Sequence, residues 1–242
     1  MLLTAKVSGN FDKMQISPYK IVLDNTTLNG DAGIVFGERK DMMLNVRTNA
    51  LNFDNYISTI PEEIKAKSFI ERMNYRFSKL GVFNDFDMVL NADVNLVIYE
   101  GMPFENVKFK GNILQGNLDI EEFTIERVAS TGIDLKGKVS GFGNKAKFEN
   151  LQYNIDAVDT LNMIEKFKLD KPDFDYNRFY NLSTNGTING DLDNFNINAE
   201  FISGDLNGSY DGVVNVADDM YLDGVIEASL KPTEVKVSSG TE

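Results

Sequence analysis

The stretch Phe104–Val139, FENVKFKGNILQGNLDIEEFTIERVASTGIDLKGKV, decides the fold. Val107, Phe109, Gly111 and Ile113 alternate with Lys108, Lys110 and Asn112. That two-residue period gives a strand one apolar and one polar face. After Gly116-Asn117 the alternation restarts in Leu118 and Ile120, then in Phe123 and Ile125. Ile133, Leu135, Gly137 and Val139 follow, set against Asp134, Lys136 and Lys138. No cluster of catalytic residue types interrupts the run. It reads as sheet built for its surface.

The same pattern extends in both directions. Met88, Leu90, Ala92, Val94, Leu96 and Ile98 occupy every second position of one strand, with Val89, Asn91, Asp93, Asn95, Val97 and Tyr99 on its other face. Glu100–Pro103 turns it into the opening stretch. Nearer the start, Ala5, Val7, Gly9 and Phe11 alternate, and Ile21 and Leu23 lead to Leu28-Asn29-Gly30, which predicts a tight turn or bulge. Ala32, Ile34 and Phe36 form a strand, and Leu44 and Val46 another before Leu51–Ile57. Later strands are expected at Ile188, Ile197–Phe201, Leu206–Tyr210, Val213–Val216 and Leu222–Leu230. The polar tail, Lys231–Glu242, is expected to fray.

Two segments depart from this period. Thr59 with Glu62 makes a capping-box pattern, and Pro61 sits early, where its missing N–H costs nothing. Ile60, Ile64, Phe69, Ile70, Met73, Phe77 and Leu80 form one helical stripe, with Gly81 as a stop. This is a helix that caps or packs on the sheet. Its polar side mixes Glu62, Glu63 and Glu71 with Lys65, Lys67, Arg72 and Arg76, unlike the basic side of a membrane-surface helix. Leu161–Phe167 predicts a short helix, and Lys171-Pro172-Asp173 a loop. Phe174, Tyr176, Phe179 and Tyr180 read as plugs over a sheet end.

Composition narrows the function. With 242 residues, 42% apolar and 25% charged, the chain is long enough to bury a core and is not disordered. Its net charge of −13 argues against nucleic acid and against an anionic membrane surface. There is no Cys, hence no disulfide framework, thiol nucleophile or thiolate metal site, and no His, the commonest general base and zinc ligand. An enzyme is therefore not expected, nor a cofactor. Met1–Asn10 lacks the apolar core of a secretory signal, and no run approaches the roughly eighteen apolar residues of a membrane helix. The chain reads as cytoplasmic or as an internal piece of something longer.

Internal repetition organises it further. An offset of 107 pairs Gly9 with Gly116, Asp12 with Asp119, Leu28 with Leu135, Gly30 with Gly137, Leu44 with Leu151 and Ile57 with Ile164. Leu206-Asn207-Gly208 repeats Leu28-Asn29-Gly30, and Met220 and Leu222 echo Met42 and Leu44. The expected division is a first β-repeat over 1–58, a helix over 59–81 and a second β-repeat over 82–165. A helical, aromatic linker over 166–183, a third partial repeat over 184–230 and a flexible tail over 231–242 complete it.

Three segments carry a family resemblance: Phe86–Tyr99 with Phe104-Glu105-Asn106-Val107, Gly116–Ile120 running on to Leu135–Val139, and the repeated close at Leu44–Ile57 and Leu151–Ile164. Their order resembles the recurring unit of the AsmA-like proteins, relatives of TamB and of the eukaryotic bridge-like lipid transfer proteins. The match spans most of Leu3–Leu230, and the pattern is a style of β-sequence without a catalytic signature. The resemblance implies a mainly β fold: an elongated, curved antiparallel sheet, a β-groove built from repeats, with one amphipathic helix and one or two short ones. It implies phospholipid acyl chains as partners, neighbouring repeats of the same chain, and transfer between inner and outer membranes without covalent chemistry. It also implies a periplasmic body held by an inner-membrane anchor. This chain lacks the family's N-terminal membrane helix, so anchor and compartment attach to a parent protein.

Groove-lining candidates are Met88, Leu90, Val94, Leu96, Ile98, Val107, Phe109, Ile113, Ile133, Leu135 and Val139. The physics agrees in one respect. A strictly alternating open sheet must cover its apolar face, with another layer or a ligand, and helical sequence is scarce. A closed sandwich or barrel satisfies the same alternation. A structural or adhesive repeat protein binding glycan or protein is the rival function, though no short solenoid period is found. Asn189, Asp191, Asp193, Asn194 and Glu200 approach a calcium-loop spacing, but position six lacks its Gly and the flanks read as strands, so a solvated hairpin turn is expected. Glu121 and Glu122, as strand neighbours, are expected on opposite faces. Asn25, Asn181, Asn185 and Asn207 begin glycosylation-type triplets, read as coincidence in so Asn-rich a chain.

Overall fold

The computed structural model describes residues 2–23, 25–55, 61–65, 67, 69–169, 180–215 and 221–230. Strand makes up 69% of it, in one open, curved sheet. The strands are β1 (Leu2–Gly9), β2 (Lys13–Leu23), β3 (Thr26–Val35), β4 (Lys40–Thr48), β5 (Leu51–Asn52), β6 (Phe86–Tyr99) and β7 (Met102–Leu114). They continue as β8 (Asn117–Val128), β9 (Thr131–Ser140), β10 (Lys147–Ala157), β11 (Leu182–Asp191), β12 (Asn194–Ser203), β13 (Leu206–Asn215) and β14 (Tyr221–Leu230). Strands lie in chain order from β1 to β14, with β5 beside β6 as a side branch. The 107-residue offset lays the sequence of β2, β3 and β4 over that of β8, β9 and β10.

One junction breaks the meander. β4 and β5 pair with β6 in parallel, whereas the other neighbours are antiparallel. Parallel neighbours require a crossover that carries the chain back to the starting end. Here it contains α1 (Glu62–Lys65), α2 (Phe69–Lys79) and a 3-10 helix at Leu80–Asn84. Gly81, expected to stop the helix, sits inside that continuation. Its Cα lies against Gly143, and a Cβ at Gly81 would come within 3.1 Å of the Gly143 Cα. Two glycines let the crossover touch the β9–β10 loop, main chain to main chain.

Alternation alone does not keep one face apolar across the sheet, because three strands carry, at four places, apolar residues three apart. Ile16-Ser-Pro-Tyr19, Ile120-Glu-Glu-Phe123, Ile125-Glu-Arg-Val128 and Phe148-Glu-Asn-Leu151 each set three residues against two on a neighbour. These are β-bulges, which insert one residue and restore the phase. Of the turn or bulge expected at Leu28-Asn29-Gly30, the turn is absent, for these residues are the interior of β3, and a bulge lies on the facing strand, between Ile16 and Tyr19 of β2. Gly30 stands opposite Tyr19, whose hydroxyl donates to the Asn45 carbonyl at 3.2 Å. A Cβ on Gly30 would come within 1.8 Å of that carbonyl oxygen. Leu206-Asn207-Gly208 likewise begins an unbroken β13 that joins the two strands expected at 206–210 and 213–216 as far as Asn215.

α3 (Thr160–Phe167) fulfils the second helical expectation. Asp159 caps it, accepting from the Asn162 N–H at 2.9 Å, and Lys168 closes it in the left-handed conformation. Tyr180, expected to plug a sheet end, is 63% exposed. Thr59, Ile57, Ile60, Lys171–Asp173, Phe174, Tyr176, Phe179, Val216, Met220 and the tail lie outside the described residues, as do the side chains of Phe69 and Ile70.

Candidate lipid-binding face

All eleven groove candidates share one face. Met88 stands opposite Ile113, Val94 opposite Val107, and Leu96 and Ile98 continue the same parity on β6. Phe109 faces Phe123, which faces Leu135; Val107 faces Ile125, which faces Ile133; Ile113 faces Leu118, which faces Val139. Leu90 pairs with Leu44 on one side and Gly111 on the other. The row through Phe109 runs on through Tyr153, Gly186, Ala199, Tyr210 and Ile226 to β14, and back through Ala92, Val46, Gly30 and Tyr19 to Ala5 on β1. One apolar face thus crosses the whole sheet. At about 4.8 Å per strand, twelve steps from β1 to β14 span roughly 58 Å along the curved surface.

The middle of that face is already covered by the chain itself. Met73 and Phe77 of α2, with Leu80 and Phe83 after it, pack on a core of Ile120, Val139, Phe142, Ala146, Leu151 and Leu192. Phe109, Leu118, Phe123, Leu135, Phe148 and Ile188 border the same cluster. Phe142, in the β9–β10 loop, stacks on Phe77 at 6.2 Å and meets Phe83 edge-on at 5.7 Å. Of the groove candidates here, Val139 belongs to that core, while Phe109 and Leu135 are half-buried and pack against it. Val94 and Ile113 are also buried, 5% and 6% exposed. Met88, Leu90, Leu96, Ile98, Val107 and Ile133 are half-buried.

Hydrogen bonds fasten the crossover at both ends. Phe77 O accepts from Gly143 N–H at 3.1 Å, and Asn84 donates to Phe142 O at 2.9 Å. Arg76 reaches the Tyr99 hydroxyl at 3.1 Å and the Glu100 carboxylate at 2.5 Å, and Arg72 donates to Phe167 O at 3.0 Å. Burial pushes the Tyr99 hydroxyl up, while the adjacent Arg76 works against that rise. Asn74 donates to Asp193 at 3.3 Å, and Asp193 also takes an ion pair from Lys145. The Lys145 hydrogen bond holds the Asp193 carboxyl below its usual range, with burial opposing and Asn74 adding to the fall.

The flanks are different. Towards β14 the apolar face ends in Leu222, Ile226 and Leu230, 60%, 60% and 63% exposed. Towards β1 it ends in Met14, Val7 and Leu3, 38%, 60% and 57% exposed. These flanking residues carry the same two-residue period as the central ones. The register that joins them into one surface is the part no local pattern encodes.

The polar face holds the remaining candidates. A hollow of about 1010 Å³ runs from β1 to β8, lined by Lys6, Lys20, Arg47 and Lys108 together with Tyr19, Val46 and Phe109 of the apolar row. The bulge at Glu121 corrects the expectation of opposed carboxylates: Glu121 and Glu122 line one hollow together with Lys110, Lys136, Lys138 and Glu149. Lys110 pairs with Glu121 at 2.5 Å. The calcium spacing resolves into a hairpin turn. Asp191 accepts from the Asp193 and Asn194 N–H groups at 3.0 Å each, Asn189 accepts from Asn150 N–H, and Asp193 is engaged by Lys145. Glu200 lies six residues along β12 from Asn194, roughly 20 Å away. Among the described residues no group of three or more His, Cys, Asp or Glu side chains is placed to hold a metal. Nor, among them, is any helix long and apolar enough to cross a membrane.

No protein-family model matches the chain, and no curated protein or solved structure does.

Proposed function

We propose that this chain handles phospholipid acyl chains along its apolar face, in the manner of an AsmA-like β-groove. It moves or shields lipid between inner and outer membranes, without covalent chemistry, as part of a parent protein anchored in the inner membrane with its body in the periplasm. The observation that carries the reading is a single apolar face that crosses every strand of the main sheet and stays exposed on both flanks. Such a face is costly to leave in water, and each acyl methylene it takes up contributes about 0.8 kcal/mol. The covered centre under α2 and the exposed flanks divide the labour. The centre holds the fold and the flanks meet the lipid.

The test is native mass spectrometry of the purified chain, with lipid extraction from the same sample. Bound phospholipid is expected, and Met14→Asp with Ile226→Asp should remove it while circular dichroism stays unchanged. Lipid-free wild-type protein, or lipid retained by the double variant, overturns the reading. Phe109→Asp is unsuitable, because Phe109 borders the core and its loss would unfold the centre.

A further inference from the structure

We propose that β14 of one molecule pairs with β1 of a second copy, so that the sheet and its apolar face run on from molecule to molecule. Among the described residues, β1 and β14 are the two edges of the sheet, and every residue of both is exposed. Proteins commonly blunt such edges with several charges, Pro or short strands. Here the edges are eight and ten residues long and contain no Pro. They carry large apolar side chains on both faces: Leu2 and Leu3 on β1, Val225 and Ile226 on β14, each 57–63% exposed.

Topology selects how two copies meet. The direction reverses at each of the three steps from β1 to β4, is kept from β4 to β6, and reverses at each of the eight steps from β6 to β14. An odd number of reversals leaves β1 and β14 running in opposite directions. A second copy shifted along the sheet, same face up, therefore brings its β1 antiparallel to β14 of the first. A parallel junction at β4 and β6 is what makes this so; a wholly antiparallel path would have set the edges parallel.

The sequence then selects a register. Matching apolar face to apolar face, one alignment places Leu3 opposite Leu230, Ala5 opposite Ala228, Val7 opposite Ile226 and Gly9 opposite Gly224. On the polar face it sets Thr4 opposite Ser229 and Lys6 opposite Glu227. Sliding by two residues either way keeps the faces but places Lys6 opposite Val225 or Ser229; sliding by four pairs Lys6 with Asp223 but sets Leu2 opposite Glu227 and Thr4 opposite Val225. Lys6 is the only charge on β1, and Asp223 and Glu227 are the only charges on β14, so the edges are of opposite sign. Opposite charges directly across an antiparallel pair are stabilising and like charges destabilising. The contact joins two different surfaces head to tail, so it propagates into rings or open chains.

The experiment is sedimentation velocity on the delipidated full chain over a range of concentrations, which separates this proposal from the lipid reading. Wild type should form oligomers that grow with concentration. Lys6→Glu and Glu227→Lys, each exposed and each expected to leave the circular dichroism unchanged, should shift assembly to at least about tenfold higher concentration. An equal mixture of the two variants should restore assembly, because each like-charge pair is then replaced by an opposite one. The chain has no Cys, so Ala5→Cys mixed with Ala228→Cys gives a clean second readout: a heterodimeric disulfide on mild oxidation. A wild-type monomer at every concentration overturns the proposal. So do oligomers indifferent to both charge reversals, or a mixture that fails to assemble.

Discussion

Replacing Phe142 by Ala should release the crossover from the sheet. Phe142 is 5% exposed and stands between Phe77 and Phe83, with ring centroids 6.2 and 5.7 Å away. Its main chain is also the landing point of the crossover: Asn84 bonds to its carbonyl, and the next residue, Gly143, to Phe77 O. Truncating a buried Phe to Ala costs about 3–5 kcal/mol, from lost transfer energy and the cavity left behind. Each kcal/mol moves the thermal midpoint of a chain this size by about 2–4 °C. The expected fall is therefore about 6–20 °C, read by circular dichroism and calorimetry. Leu222→Ala, on the exposed face of β14, is the control and should move the midpoint by no more than about 2 °C, as exposed positions usually cost under about 0.5 kcal/mol. Because α2 covers apolar side chains, F142A should also bind a hydrophobic dye below its melting transition. A midpoint within about 2 °C of wild type would refute the assignment of Phe142 as the clasp between helix and sheet.

Gly30→Ala should destabilise the chain by about 1–3 kcal/mol in urea unfolding, because its Cβ would collide with the Asn45 carbonyl beneath Tyr19. Arg39→Lys should cost about 1–2 kcal/mol by the same assay. Arg39 donates to Asp87, Asn84 O and Phe86 O at 2.6, 2.6 and 2.8 Å, a fork that an ammonium does not reproduce. Asp193 titrates below its unfolded value, so its stabilising contribution is complete above about pH 4 and is lost as pH falls through the folded pKa. The stability gap between wild type and Asp193→Asn should accordingly hold steady from pH 7 to about 5 and close in acid; a gap that widens in acid would reverse the assigned direction.

Much of the candidate face is legible in the sequence. Met88 to Ile98 and Val107 to Ile113 advertise their faces by alternation, and the structure sets them opposite one another on one surface. The bulges were legible in principle, since apolar–polar–polar–apolar spacing at Ile120–Phe123 and Phe148–Leu151 is the mark of an inserted residue. Taken as plain alternation, that spacing wrongly separates Glu121 from Glu122. Leu28-Asn29-Gly30 misleads for a related reason. Gly in a strand looks like a turn until the ring that lies across it, Tyr19, is known.

Residue order along the chain dictates the class of structure and the chemistry of its two faces. The pleat repeats every two residues, so side-chain order along the chain maps directly onto faces. Long-range packing sets the rest: β4 meets β6 in parallel, the crossover returns over the apolar face, and the centre of that face packs under it while the flanks stay exposed. Those outcomes rest on contacts between residues far apart in the chain, such as Phe77 with Phe142 and Asn74 with Asp193. Their energies depend on shape and distance in space, which no periodicity along the chain records.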